Sequence, residues 1–383
     1  MFRFIRVSIP FALLVACNGE IKVGTVAPAG EMSAVSATPP TNPAVSCPAG
    51  GLELLYDAGK HGEAIYDFFS DGEHVIAGIN SAEYDYSGSS RIVSLPDIST
   101  LTSEIHGSVV QLARTRDQII VGVQEDSSMP RIGFVPRTGG PGEWRPHNFF
   151  YMLVASHPER DDGVVSDMGE SDNHVVFSWR PPAAPTRAIE LPPSQGVRSL
   201  SASATSIVAT LRDSTGAVDR IVRARGVDGG QYDVVVDLGP SIVSNVVADG
   251  DASIIATYDE EDREIVVSRF EGVGKAPGDG VKLGSVTQVA RPTAWLELEG
   301  TDVYLAYAAQ QMPCANPKCL TNLEVVRFKN DADAGASGST RLKTFRGGAP
   351  MVHRSRPFDV DACWLIWYDA EKRALYRQPK ADL

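Results

Sequence analysis

The chain contains no P-loop, no HExxH, no GxSxG and no CxxC motif in its 383 residues. These absences remove the commonest routes to phosphate binding, zinc proteolysis, α/β-hydrolase chemistry and dithiol redox work. Positive charge is short: 35 Lys and Arg stand against 48 Asp and Glu, a formal net charge of −13. A nucleic-acid partner is excluded on that balance, because such proteins displace counterions with a basic surface. No window of useful length carries the 3.6-residue apolar period, so a parallel α/β fold has no helices to build its crossovers. No apolar run approaches the roughly 20 residues of a membrane-spanning helix. What is plentiful is turn chemistry, with 35 Gly and 25 Pro, and short β-forming runs.

The longest apolar run near the start is Val7–Ala16, preceded by Arg3 and Arg6. A basic start and an apolar core of ten residues fit a secretory signal peptide. The run ends in Leu14-Val15-Ala16-Cys17. This resembles the lipobox of bacterial lipoproteins: an aliphatic residue, a tolerant position, a small residue, then Cys. The resemblance covers about the first 17 residues. It implies a signal peptide over 1–16, cleavage before Cys17, and lipid on the Cys17 sulfur and on the new amino terminus. More than one acyl chain matters, since one alone holds a protein only marginally. Residues 17–46, rich in Ala, Pro, Thr, Ser and Val and without an aromatic, read as a flexible tether. Asn18 after the lipidated Cys resembles the sorting signal for the outer membrane. Loss of Arg3 and Arg6 with the signal deepens the net charge from −13 to −15. Anionic headgroups repel such a surface, so the expected membrane contact is the lipid itself.

The body, 47–383, repeats one pattern seven times. Strong apolar runs begin at His74, Gln118, His174, Ser206, Ser253, Val303 and Cys363, at intervals of 32 to 60 residues. A weaker strand precedes each, at 66–70, 109–113, 164–167, 198–202, 244–248, 293–298 and 358–360. Asp-Gly at 71–72 and 249–250 and Glu-Gly at 299–300 supply hairpin turns between them. A third strand follows each strong run, at 91–95, 131–135, 187–191, 220–224, 264–270, 324–328 and 374–378. A fourth is visible in most units, for example 144–152, 232–238 and 341–345. Four antiparallel strands repeated every 45 to 50 residues or so predict an all-β fold, a β-propeller of seven four-stranded blades. The competing arrangements are a propeller of six or eight blades and a pair of β-sandwiches. The third unit has least room for its fourth strand. The seventh ends after its third, and Leu52–Tyr56 has no other home. That N-terminal strand is expected to pair with 374–378 and close the ring, removing two free edges.

Lipidation of Cys17 leaves four cysteines in an oxidising compartment. Cys314 and Cys319 share one loop across an Asn-Pro turn, and a local disulfide is expected there. Cys47 precedes the closing strand and Cys363 opens the strong run of the last blade, so a second disulfide between them would staple the ring. Of the seven histidines, His61, His106, His157 and His353 all fall, on these strand boundaries, in connections between one blade and the next. Those connections share one face of a propeller, where four imidazoles could hold a metal ion. The loop carrying Glu83, Tyr84, Asp85 and Tyr86 offers an adaptable contact surface for an envelope protein or a glycan. Arg341, Lys343, Arg346, Arg354 and Arg356 form the one notable basic stretch, suited to pairing with acidic groups. No cofactor is called for beyond the lipid. The sequence reads as a lipid-anchored envelope protein presenting a propeller for binding or scaffolding. The alternative is an envelope hydrolase or lyase acting on a polysaccharide or cell-wall fragment.

Overall fold

A computed structural model describes residues 47–383 apart from 83–86, 126–129, 147–152, 169–173, 193–194, 213–218, 226–230, 240–241, 291–292, 312–320, 331–338 and 348–355. Strand β1 (Glu53–Asp57) and the one-turn helix α1 (Ala58–His61) come first. Blade 1 is β2 (Ala64–Ser70), β3 (Val75–Asn80), β4 (Ser89–Leu95) and β5 (Ser99–His106). Blade 2 is β6 (Ser108–Arg114), β7 (Gln118–Gln124), β8 (Arg131–Pro136) and β9 (Glu143–Pro146). Blade 3 is β10 (Leu153–Ala155), β11 (Gly163–Met168), β12 (His174–Trp179) and β13 (Thr186–Glu190). Blade 4 is β14 (Gly196–Ala202), β15 (Ser206–Arg212), β16 (Asp219–Arg225) and β17 (Asp233–Asp237). Blade 5 is β18 (Ile242–Asp249), β19 (Ala252–Asp259), β20 (Glu264–Glu271) and β21 (Val281–Val286). Blade 6 is β22 (Ala294–Glu299), β23 (Asp302–Gln311), β24 (Thr321–Lys329) and β25 (Thr340–Gly347). The last three strands are β26 (Phe358–Val360), β27 (Trp364–Asp369) and β28 (Ala374–Pro379).

Each blade is a separate four-stranded antiparallel sheet. First strands touch in the order β2, β6, β10, β14, β18, β22, β26 and back to β2. The fold is therefore a closed ring of seven blades, as the repeats imply. Connections between blades and between second and third strands lie on one face, called upper here. First-to-second and third-to-fourth turns lie on the lower face.

Strand β1 completes blade 7, in the order β1-β28-β27-β26. Glu53 faces Arg377, Leu54 faces Tyr376, and Asp57 faces Ala374. The closing strand is the one expected. A Cys47–Cys363 disulfide, with Cα atoms 5.2 Å apart, fastens the same blade. At its upper end Arg91 reaches from blade 1 to Glu63 at 2.7 Å and to the Tyr56 hydroxyl at 2.9 Å.

The strong runs are buried because they lie second in a blade, covered on both sides by neighbouring blades. In β3 and β7 every residue but the two ends of β7 is buried. The cores accordingly sit between blades. Ile65, Phe68 and Val75 of blade 1 pack with Leu55, Ile366 and Leu375 of blade 7. Leu283 and Ile265 of blade 5 pack with Leu296, Val303 and Leu305 of blade 6. Burying one such side chain contributes about 2–3 kcal/mol. The turn glycines behave as their Asp-Gly and Glu-Gly pairs require: Gly72, Gly250 and Gly300 take φ of 99°, 55° and 58°.

Blade 3 corrects the sequence reading by one strand. The segment 144–152 does not form a single fourth strand: β9 ends at Pro146, and the three-residue β10 opens blade 3. The run beginning at His174 is thus third in its blade, and 186–190 is fourth. A strand of three residues carries too little pattern to be seen. Its neighbour Gly163 packs so closely on blade 2 that an added Cβ would lie 2.2 Å from Ile120. Blade 1 likewise gains a fourth strand, β5, whose polar sequence STLTSEIH hid it.

Opening the Cys47–Cys363 crosslink frees a loop of 316 residues, and chain entropy sets the upper cost at about 5 kcal/mol. The paired variant Cys47→Ser/Cys363→Ser should melt several degrees below the parent. The parent in reductant should match it. Equal melting temperatures for all three would show that β1 holds the ring without the crosslink.

Candidate binding site in the axial channel

Seven first strands ring the axis, and each is the free edge of its sheet. Their backbone groups cannot ladder with one another, so side chains make the joins. Leu112 N–H of blade 2 donates to Asp67 of blade 1 at 2.6 Å. Val154 N–H of blade 3 donates to Gln111 of blade 2 at 2.9 Å. Ala248 N–H of blade 5 donates to Ser201 of blade 4 at 3.0 Å. Asn245 of blade 5 donates to the Ala294 carbonyl of blade 6 at 3.5 Å. Ser70 N–H of blade 1 donates to Asp359 of blade 7.

Register shifts supply this reach. The pairing of first with second strand slips between Ile65 and Phe68, Val109 and Gln111, Val197 and Ser199, and Val243 and Asn245. Such bulges turn a side chain out of the ladder and re-aim it. Asp67 and Arg198 sit within two of these slips.

The strands enclose a channel of about 1230 Å³. Its charges are sorted by blade. Among the described residues, blades 6, 7 and 1 contribute Glu297, Glu299, Asp359, Asp361, Asp67 and Asp71, with Arg356 as the one cation. Among the described residues, blades 2, 3 and 4 contribute Arg114, His157, Arg198 and Arg212 and no acid, and blade 5 contributes no charged side chain. One wall is acidic and the other basic.

Arg356 is the hub of the acidic wall. Its Nε lies 3.4 Å from Asp67 and 3.7 Å from Glu297, and a terminal nitrogen lies 3.3 Å from Asp359. Arg356 and Glu297 are about a quarter exposed, at 26% and 27%, and both line the channel. Burial pushes the Asp67 carboxyl up to about 7, against the opposing pull of Arg356 and two backbone donors. Burial raises Glu297 and Asp359 too, again against Arg356. Glu299 is raised by burial. One guanidinium does not offset three carboxylates in so little water. Across the ring, burial lowers the Arg114 and His157 pKa values.

The residues singled out in the sequence fare unevenly. His61 lies in α1 and His106 ends β5, both on the upper face and exposed. His157 lies after β10, in the first turn of blade 3 and so on the lower face. The expected convergence of these histidines is therefore corrected: the hidden strand β10 moved His157 to the opposite face. His353 lies outside the described residues, as do Glu83, Tyr84, Asp85, Tyr86, Cys314 and Cys319. Among the described residues no three His, Cys, Asp or Glu side chains are grouped to hold a metal. Arg356 does pair with acidic groups, though they belong to strands and not loops. Sequence reasoning missed Asp67, Glu297 and Asp359. The signal was a carboxylate set among apolar residues of a strand: one each in YDFF and FDV, two in LELE.

No protein-family model and no curated protein matches the sequence. Solved structures do share the fold. A prolyl endopeptidase aligns with a TM-score of 0.51 at 18% identity, over 85% of this chain and 50% of that one. The β-propeller domain of the trilobed protease from Pyrococcus furiosus aligns at 0.51 and 10%, over 82% and 95%. Oligopeptidase B from Trypanosoma brucei aligns at 0.50 and 11%, over 80% and 45%. This chain spans about half the length of the prolyl endopeptidase and less of the oligopeptidase. At these identities the likeness is one of fold: a seven-blade β-propeller.

A carboxyl whose folded pKa is raised stabilises the fold below its unfolded value, and that stabilisation is lost as pH rises through the folded value. For Asp67 the window runs from 3.8 to about 7. Asp67→Asn should flatten the pH dependence of melting: between pH 5 and pH 8 the parent should lose about 3–5 °C more than the variant. Parallel profiles would show that Asp67 is already ionised at pH 5.

Proposed function

We propose that this chain is a lipid-anchored protein of a bacterial cell envelope, with a propeller that binds its ligand in the axial channel. The observation that carries the binding reading is the channel wall. Charged groups from six blades face one space, held by bulges and by side-chain joins between the first strands. Such preorganised polar groups in a large concavity are what ligand sites are built from. The anchor reading rests on Leu14-Val15-Ala16-Cys17 and on the tether composition of 17–46. A tether of that length has a root-mean-square reach of about 30 Å. It would join the propeller at Cys47, whose crosslink partner Cys363 follows the first turn of blade 7 on the lower face. Asp361 and Ala362 of that turn line the channel. The lipid, and no basic patch, would hold the protein to the membrane, in the outer membrane by the Asn18 signal.

One observation favours an enzyme as second reading. Asp67 and Glu297 both lie within 4 Å of Arg356 Nε, and both are raised toward neutral pH by burial. A carboxylic acid beside a carboxylate is the pair that glycoside cleavage uses. An envelope hydrolase or lyase acting on a polysaccharide would find its acid there. The peptidase propellers that share the fold lend this reading nothing specific, because one fold hosts many functions.

Radiolabelled palmitate fed to a bacterial host expressing the full chain should label it, and Cys17→Ser should abolish the label while the parent fractionates with membranes. Equal labelling of parent and variant, or none in either, would remove the anchor from this reading.

A further inference from the structure

We infer that the axial channel takes a zwitterionic ligand of peptide size, a short peptide with free amino and carboxyl ends, bound with its cation toward blade 6 and its anion toward blade 4. The inference rests on the channel being the binding site and adds the ligand class.

Charge is separated across the channel. A site for a simple anion would concentrate cations, and one for a neutral sugar would have little use for either wall. Opposed walls lower the energy of a ligand whose own charges are opposed, and they raise it for the reversed orientation. On the acidic wall, where Glu297 and Arg356 are only about a quarter exposed, the effect is stronger than it would be in bulk water.

Some of the channel groups are already committed to the fold. On the acidic wall Asp67 accepts from Leu112 and Phe68 and pairs with Arg356. Asp359 accepts from Ser70 and pairs with Arg356. Glu297 and Glu299 differ. Among the described residues Glu297 has only the 3.7 Å ion pair with Arg356 and no hydrogen bond to its carboxylate. Glu299 has neither. Both lie on the same face of β22, two residues apart. Burial disfavours their charge, and an arriving ligand ammonium would favour it again, so these two carboxyls are the groups on this wall left to pair with a cation. On the basic wall Arg212 ends β15, is exposed, and lines the channel without an ion pair among the described residues. Its planar donor fork suits a carboxylate.

A fully extended tripeptide is at most about 10 Å long. A cavity of about 1230 Å³ holds it with room for bridging water, which polar sites retain.

The test is calorimetric titration of the full-length chain in detergent with trialanine, N-acetyl-trialanine, trialanine amide and the doubly blocked peptide. Free trialanine should bind with a millimolar or tighter Kd. Each single block should weaken binding at least tenfold, and the double block should abolish it. Glu297→Gln should weaken free trialanine but leave N-acetyl-trialanine unchanged, because that peptide no longer carries the ammonium. Arg212→Gln should do the same for trialanine amide in place of N-acetyl-trialanine. Equal binding of free and blocked peptides would overturn the inference, as would no binding of free trialanine. Chitotriose titrated in parallel separates two failures. Chitotriose bound where trialanine is not leaves the channel as a binding site and removes the peptide class. Neither bound removes the channel reading as well.

Discussion

The structure depends on joining seven sheets that share no backbone ladder. In a propeller every first strand is an edge, and its outward N–H and C=O groups face the axis. Between first strands the joins are side chains, while away from the axis main-chain bonds also link blades, as from Gly274 N–H of blade 5 to the Val234 carbonyl of blade 4 at 2.8 Å. Asp67, Gln111, Ser201, Asn245 and Asp359 each reach the main chain of the next blade. Two of the five, Asp67 and Asp359, are carboxyl groups whose oxygens accept from main-chain N–H donors. The apolar contacts between blades supply most of the stabilisation, but they are non-directional. The polar joins fix the height at which one blade meets the next, so they also fix where channel groups stand.

That dual role explains why the acidic wall carries more carboxyl groups than its one described cation can keep ionised. Asp67 and Asp359 are held where they are to join blades, and Arg356 follows as their counter-ion. Neither carboxylate is chosen for its solvation. Burial raises both, and one guanidinium serves three acids. Structure therefore creates an electrostatic excess that a ligand can use. Glu297 adds to that excess through its ion pair with Arg356 and, among the described residues, accepts from no main-chain group of the next blade.

The fold was legible because its signals are local and repeated. Second strands such as VIAGIN and QIIVGVQ are apolar along their length, since neighbouring blades cover both faces. The turn between first and second strand carries glycine where φ must be positive. Ring closure by Leu52–Tyr56 was legible by elimination: an edge remained at one end and a strand at the other. Blade 3 was not legible, because β10 has three residues and its partner strands are interrupted by polar segments. One missed strand then inverted the assignment of His157, since each added strand exchanges upper for lower face.

The channel was less legible, for a reason that applies to any ring of sheets. Its wall is assembled from short segments some 40 to 60 positions apart, one from the first strand of each blade and its flanking turns. No spacing rule links Asp67 to Glu297 or Arg356. What the sequence does carry is a local inconsistency: a charge in the middle of a strand that otherwise belongs to a core. In YDFF the Asp has apolar residues on both sides, and strand alternation would turn it toward the same face as Phe69. A bulge resolves the conflict by adding a residue and re-aiming the carboxylate. Arg198 in GVRSLSA follows the same logic. A charge misplaced by alternation in a first strand therefore marks both a bulge and a channel group. Glu297 stands apart: the pairing of β22 with β23 runs without a slip. Its carboxylate reaches Arg356 from an unbroken ladder, so alternation alone brings it to the blade 7 side, where the negative charge accumulates.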